Sequence, residues 1–549
     1  MSLLRINNLH TVLKSTGGDV HAVKGIDLEI NRGETVCLVG ESGSGKSVTA
    51  LSIMRLLPAG IASHPKGEAL LDDGKGITNL LTLDNQQMSG VRGRHLSMIF
   101  QEPMSSLNPV FTVGEQIVEA LQISWPSMNE RQAREIAVRS LHEVQIKQPE
   151  QSFNEYPHRL SGGQRQRVMI AMALACQPDL LIADEPTTAL DVTVQQEILN
   201  LIRDLQRKKG TAVLFITHDL GVVAQIADKV AVMQQGEIVE QGVHSEVLYN
   251  PQHPYTISLL GALPENLQRQ PIESVNTEVM LEARNLKVWF PVRRGLLRRI
   301  ADHVRAVDDV SVKIHKGEIV ALVGESGSGK STLGRAMVRL IEPTAGEIYY
   351  REKEIGNLSA KEFRGYRTDL QVVFQDPLSS LNPRLTIATT LTEPMKVHGI
   401  GESHEHRIEL AAKLMEDVQL TRDYLWRYPH EFSGGQRQRI GIARALAVNP
   451  KVIVCDEVTS ALDVSVQAEL LQLLLQLRAR YGLTLLFITH NISVVEYVSD
   501  RTLVMHQGRL VESGDTAQIC GNPQHEYTKT LIDAVPRLQG HRDFALSSG

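Results

Sequence analysis

Two octapeptides of one design stand 284 positions apart (330 − 46): Gly40-Glu41-Ser42-Gly43-Ser44-Gly45-Lys46-Ser47 and Gly324-Glu325-Ser326-Gly327-Ser328-Gly329-Lys330-Ser331. Glycines at this spacing let backbone N–H groups curl around phosphate oxygens, and a helix starting at the lysine turns its positive end towards the same anion. Lys46 and Lys330 then reach the terminal phosphates of a nucleoside triphosphate, while the hydroxyls of Ser47 and Ser331 ligate Mg²⁺. Asp184 and Asp456 each close an apolar run, where a carboxylate can hold that metal. Glu185 and Glu457 follow directly and are placed to polarise an attacking water, which is general-base work.

The duplication extends well beyond these loops. Each is followed by Phe-Gln (Phe100-Gln101, Phe374-Gln375), then Ser-Gly-Gly-Gln (Ser161-Gly162-Gly163-Gln164, Ser433-Gly434-Gly435-Gln436), then the acid pair, then an Ile-Thr-His ending in His218 or His490. The serines, aspartates and histidines all lie 272 apart (433 − 161, 456 − 184, 490 − 218), so the copies are in register from the Ser-Gly-Gly-Gln turn onward. A repeat this long reads as duplicated domains, because solenoid repeats are far shorter. Two full sets on one chain predict a pseudo-symmetric pair of ATP-handling units, both active.

The elements that must position these residues are legible around them. Apolar runs at 35–39, 180–183, 212–216 and 230–233 do not alternate with polar residues, which suits strands buried on both faces of a mainly parallel sheet. Helical patterns occupy 194–206 and 466–478, and the stretch between the glutamine and the Ser-Gly-Gly-Gln turn offers helices at 113–122 and 130–144. The expected fold is α/β: two tandem domains, each a mainly parallel sheet core with a helical subdomain. The expected boundaries are 3–263 for the first domain (with a short tail from about 250), 264–279 for an extended proline-containing linker, 280–538 for the second domain and 539–549 for a flexible tail.

Composition narrows the function classes. At 549 residues the chain is too long for one ordinary domain, and 42% apolar with 22% charged residues is a globular mixture. A formal charge of −6 argues against nucleic acid as the main partner. The four cysteines lack the paired spacing of a metal or redox site. No apolar run approaches the ~18–20 residues of a membrane span, and the N-terminus lacks the form of a secretory signal. Membrane association is therefore expected only through a partner.

The segments Leu160-Ser161-Gly162-Gly163-Gln164 and Phe432-Ser433-Gly434-Gly435-Gln436 resemble the signature of ATP-binding cassette (ABC) ATPases. Gln101 and Gln375 resemble that family's Q-loop, His218 and His490 its switch histidine, and Ala189-Leu190-Asp191 and Ala461-Leu462-Asp463 its D-loop. The resemblance covers nearly the whole chain. It implies that the glutamines join the serines and aspartates as Mg²⁺ ligands, and that glutamine, glutamate and histidine form the catalytic set of each copy. It also implies a head-to-tail sandwich, each ATP touching the phosphate loop of one half and the signature turn of the other. The adenine contact is open: no aromatic lies at 19–23, and His21, Trp289, Phe290 and Arg305 are the nearby rings and cations.

Narrower likenesses point to a branch. The segments at 100–109 and 374–383, and the tails Asn250-Pro251-Gln252-His253-Pro254-Tyr255-Thr256 and Asn522-Pro523-Gln524-His525-Glu526-Tyr527-Thr528, resemble ATPases of bacterial peptide importers, including fused forms that serve glutathione or microcin C uptake. That likeness implies two transmembrane permeases, an extracytoplasmic solute-binding protein, and a place on the cytoplasmic face of the inner membrane. The segment 102–159 is the expected permease contact. A tandem ABC ATPase acting on ribosomes without a permease is the alternative, disfavoured by the short linker. The basic stretch 293–299 and the pair His404 and His406 read as solvated surface.

Overall fold

Runs of valine, isoleucine and leucine become the middle strands of a six-stranded sheet in each half, where both faces are covered. In the computed structural model, Glu237–Val243, Lys229–Gln234, Thr35–Val39, Ala212–Thr217, Leu180–Asp184 and Leu96–Ile99 lie side by side in that order. Only the first pairing is antiparallel. The second half repeats the order with Arg509–Asp515, Arg501–His506, Ile319–Val323, Thr484–Ile488, Val452–Asp456 and Leu370–Val373. The structure describes residues 2–15, 18–58, 60–101, 106–187, 190–267, 277–294, 299–376, 380–460 and 462–538.

Side-chain alternation shows how the second sheet is sandwiched. Ile319, Ile453, Cys455, Leu485 and Phe487 belong to a buried cluster shared with the helical region, including Leu391, Met415 and Leu446. Their neighbours Val320, Leu322, Val452, Val454, Leu486 and Ile488 belong to another, shared with Leu281, Val310 and Ile348. Successive side chains of a strand point to opposite faces, so each strand serves two cores.

Those last residues lie on a second, antiparallel sheet that the sequence reading did not anticipate. It runs Arg299–His315, Val279–Arg294, Ala345–Tyr350 and Lys353–Glu354 in the second half, and Val20–Asn31, Ser2–Leu13, Glu68–Asp72 and Ile77–Asn79 in the first. The mainly parallel sheet expected from sequence is thus present in each half, and the antiparallel sheet packs with it as a second layer of the core.

The helical patterns appear as Val113–Ser124, Glu130–Glu143, Val192–Lys209 and Val464–Tyr481. Thr112 and Asn129 start the first two with reciprocal capping boxes, which satisfy amide donors that a helix cannot pair internally. In the second half, Ile387–Val397 and His404–Asp417 hold the matching place.

Contacts divide the chain into two compact units, one built mainly from residues up to 261, the other mainly from 262–535. Pro264–Asn266, assigned to an extended linker from sequence, forms a 3-10 turn instead. The remaining linker residues 268–276 and the tail 539–549 lie outside the described residues, as do Ala189 and Ala461 of the D-loop-like segments, 102–105 and 377–379 after the glutamines, and 295–298 within the basic stretch.

Candidate nucleotide site

In an open parallel sheet the carboxyl ends of the strands are where ligands are held. Four such ends carry the motif residues of the first half. Thr35–Val39 runs into the glycine-rich loop, Leu180–Asp184 ends on Asp184, Ala212–Thr217 precedes His218, and Leu96–Ile99 precedes Gln101.

The loop requires glycine at two of its positions. Gly40 and Gly45 adopt φ of 147° and 106°, where a side chain is disfavoured, and a Cβ would collide with the carbonyls of Met233 and Ala22. Gly45 then starts the helix Lys46–Ile53, and Gly329 starts Lys330–Met337. The Lys46 ammonium donates to the carbonyls of Gly40 and Glu41, both at 2.8 Å; Lys330 donates to Gly324 and Glu325, both at 2.7 Å. Both lysines are buried. Burial holds Lys330 below the ordinary lysine range, although Glu457, Asp456 and Glu325 pull the other way.

Beside each lysine stands a set of oxygen donors. Ser47 donates to Asp184 at 3.0 Å, and Ser331 to Asp456 at 2.7 Å. Burial pushes the Asp184 carboxyl above its ordinary range, against the hydrogen bond from Ser47. Asp456 has a further partner: the Arg335 guanidinium donates to its Oδ2 at 2.9 and 3.2 Å. The matching position in the first half is Leu51. Sequence reasoning missed this difference, because an arginine present in one copy carries no signal until its partner, 121 positions away, is seen. The second aspartate thus carries an arginine ion pair where the matching position of the first half holds a leucine.

Glu185 and Glu457 take φ of 48° and 49°, left-handed backbone that a glutamate adopts only at a cost. Their amides donate to Ile216 and Ile488 at 2.9 Å, which fixes the turn off the strand. Each carboxylate is gripped from two sides. Gln101 Nε2 donates to one oxygen of Glu185 at 2.8 Å, and His218 Nδ1 lies 3.2 Å from the other. In the second half Gln375 donates to Glu457 at 2.7 Å, and His490 Nδ1 lies 3.6 Å away. His490 holds the Glu457 carboxyl below its ordinary range, with burial opposing.

The Ser-Gly-Gly-Gln turns stand apart from these clusters in sequence and start helices of their own. Ser161 caps Gly162–Ala175 and Ser433 caps Gly434–Leu446, each accepting from the glutamine three residues on while that glutamine's side chain accepts the serine amide. Capped in this way, each helix start presents free N–H groups and a positive dipole end suited to an anion. Of the residues weighed for the adenine contact, His21 is exposed. Trp289 faces Arg305 across the long hairpin, with the guanidinium 4.8 Å from its ring.

A second residue type that sequence reasoning did not connect to the site is tyrosine. The hydroxyls of Tyr255 and Tyr527 accept the backbone N–H groups of Glu41 and Glu325, the second residue of each loop, at 3.2 and 3.0 Å.

A glycine-rich loop entering a helix, an acid at the end of a neighbouring strand and a carboxylate gripped by glutamine and histidine define a phosphate-loop nucleotide site, present here twice. Comparison with known families agrees. The ABC transporter family matches residues 23–188 and 307–460, and the oligopeptide/dipeptide transporter C-terminal region matches 239–287 and 511–548. The chain belongs to the ABC transporter family, as an ATP-binding ATPase subunit with two family domains, each followed by a peptide-transporter C-terminal region.

Curated relatives extend along nearly the whole chain. The glutathione import ATP-binding protein GsiA of Escherichia coli (strain K12) is 48% identical over 568 residues, covering 98% of this chain and 90% of that protein. Its counterpart from Salmonella typhimurium is 48% identical over 559 residues, covering 97% and 89%. Among solved structures, the dimeric ATP-binding cassette MJ0796 bound to ADP and Pi shares 28% identity, with a TM-score of 0.40, 44% of this chain covered and 99% of that one. The two curated relatives are import ATP-binding proteins, and the permease-free, ribosome-acting alternative is not supported.

Proposed function

We propose that this chain energises the uptake of peptides or peptide-like solutes, of the dipeptide, oligopeptide or glutathione class, by hydrolysing ATP at both of its sites. One observation carries the reading: each half has a complete catalytic set and is followed by a C-terminal region of the peptide-transporter kind. The partners are two transmembrane permeases and an extracytoplasmic solute-binding protein, and the chain works at the cytoplasmic face of the inner membrane. Among the described residues no helix is long and apolar enough to cross a membrane, in keeping with attachment through the permeases. We take domain limits of 3–263 and 280–538 for the two ATPase units.

The roles follow from donor chemistry. The loop N–H groups and the ammonium of Lys46 or Lys330 bind the β- and γ-phosphates. The signature turns, 161–164 and 433–436, add a second set of N–H donors for the anion. Serine hydroxyl, aspartate carboxylate and glutamine amide oxygen are the hard ligands Mg²⁺ takes, so Ser47, Asp184 and Gln101 suit it in the first half and Ser331, Asp456 and Gln375 in the second. Bound there, the metal would neutralise phosphate charge. Glu185 and Glu457 accept the proton of the attacking water, and each is kept aimed by its glutamine and histidine.

Deleting the gene is expected to abolish uptake of labelled glutathione or of a labelled dipeptide panel in the host cell. Wild-type chain should restore it, and a Glu185→Gln, Glu457→Gln double variant should not. Undiminished uptake of every such solute in the deletion strain would overturn the reading.

A further inference from the structure

The two C-terminal regions repeat Asn-Pro-Gln-His-x-Tyr-Thr at 250–256 and 522–528, and both fold back in one way. Each follows a short helix whose C-cap is the asparagine, Asn250 or Asn522. A single carboxylate then takes two successive backbone amides. Glu240 accepts Gln252 at 2.7 Å and His253 at 3.2 Å; Glu512 accepts Gln524 at 2.7 Å and His525 at 3.1 Å. Burial raises both carboxyls, but the hydrogen bonds they accept outweigh it, and both stay below the ordinary glutamate range. The histidine continues the chain of bonds: His253 Nδ1 accepts the amide of Tyr255 at 3.2 Å, and His525 Nδ1 that of Tyr527 at 3.1 Å.

The tyrosine so fixed reaches the phosphate loop, 214 positions away in the first half and 202 in the second. Its hydroxyl accepts the amide of Glu41 or Glu325. The carbonyl of that same residue accepts the loop lysine, Lys46 or Lys330. One residue is therefore held on its N–H by the C-terminal region and on its C=O by the ammonium that meets phosphate. Burial pushes the Tyr527 phenol up to about 12. Its ring also lies against His506, 3.9 Å between centroids.

We propose that Tyr255 and Tyr527 are positioning residues of the two ATP sites, setting the loop lysine through Glu41 and Glu325, so that each C-terminal region is a structural part of its own nucleotide site. The inference rests on the ATP reading given above. It also explains why a segment far from the loop in sequence recurs after both halves in the same form. Removing the hydroxyl frees the loop amide and lets the second residue of the loop turn. The lysine then loses a fixed carbonyl, and the cost falls on nucleotide binding rather than on the proton transfer to Glu185 or Glu457.

The test uses the full chain with Tyr255→Phe and Tyr527→Phe, singly and together, beside Tyr→Ala at each position. Each Phe variant is expected to raise the KM for ATP about three- to tenfold, the range set by one net hydrogen bond, with kcat changed by less than about twofold. In nucleotide-free protein, amide exchange at 40–47 or 324–331 should quicken in the substituted half alone. Glu240→Gln and Glu512→Gln, which weaken the clamp but keep ring and hydroxyl, should shift both readouts the same way by less. Phe variants with unchanged KM and unchanged loop exchange, when Ala variants are impaired, would overturn the proposal and leave the ring as packing only. Failure of the ATP reading would look different: unmodified chain would not turn over ATP, while loop exchange, measured without nucleotide, would still respond to the hydroxyl.

Discussion

Glu185→Gln and Glu457→Gln are each expected to cut ATP turnover to half or less, and the double variant to lose about 100-fold or more. General-base catalysis contributes on the order of 10²–10⁴ to rate, and an amide cannot accept the proton of water. The expectation is specific to these two carboxylates because of how they are held. Both sit at strained left-handed positions, with one oxygen on a glutamine and the other facing a histidine. Glutamine preserves shape and volume, so the chain should fold and still bind nucleotide, which equilibrium binding of ATP checks in the same samples. Near-normal turnover in either single variant would refute the claim that both sites hydrolyse. A loss in one single variant much beyond half would instead show that the sites work in a coupled cycle.

Lys46→Ala and Lys330→Ala should act earlier, on binding. Each ammonium is buried and already fixed on two loop carbonyls, so little freedom is lost when phosphate arrives. A hydrogen bond to a charged group contributes roughly 1.5–3 kcal/mol net, which corresponds to about 10- to 100-fold in affinity for ATP at the altered site. Titration with a fluorescent ATP analogue measures it. Equal affinity with and without the ammonium would show that the loop lysine does not reach the phosphates. The two variants need not match in size. Arg335 adds a fixed positive charge on Asp456 in the second half, and Leu51 supplies none in the first.

How far the sequence carried this picture depended on the range of the interaction. The runs at 35–39 and 212–216 were legible as strands because both faces are buried and every residue is apolar or nearly so. The helix at 130–143 was legible because its apolar positions keep a helical period between a capping asparagine and its last turn. The antiparallel sheets were harder. Ile26, Leu28 and Ile30 do alternate with Asp27 and Glu29, but the pairing strand Ser2–Leu13 breaks its own alternation at several bulges. The residues proposed for the chemistry could be named one by one, since phosphate and metal chemistry would set their types and spacing. Their supports could not. Arg335 on Asp456, and the tyrosines on the loop amides, join residues that only the folded sheet brings together.

The central claim is that one chain carries two working nucleotide sites, and counting bound ATP tests it most directly. With the Glu185→Gln, Glu457→Gln double variant, in which bound ATP should persist, equilibrium dialysis at MgATP just sufficient to fill the unaltered sites should find two nucleotides per chain, falling towards one when Lys46 or Lys330 is also replaced. A saturating count of one in the double variant itself would contradict it.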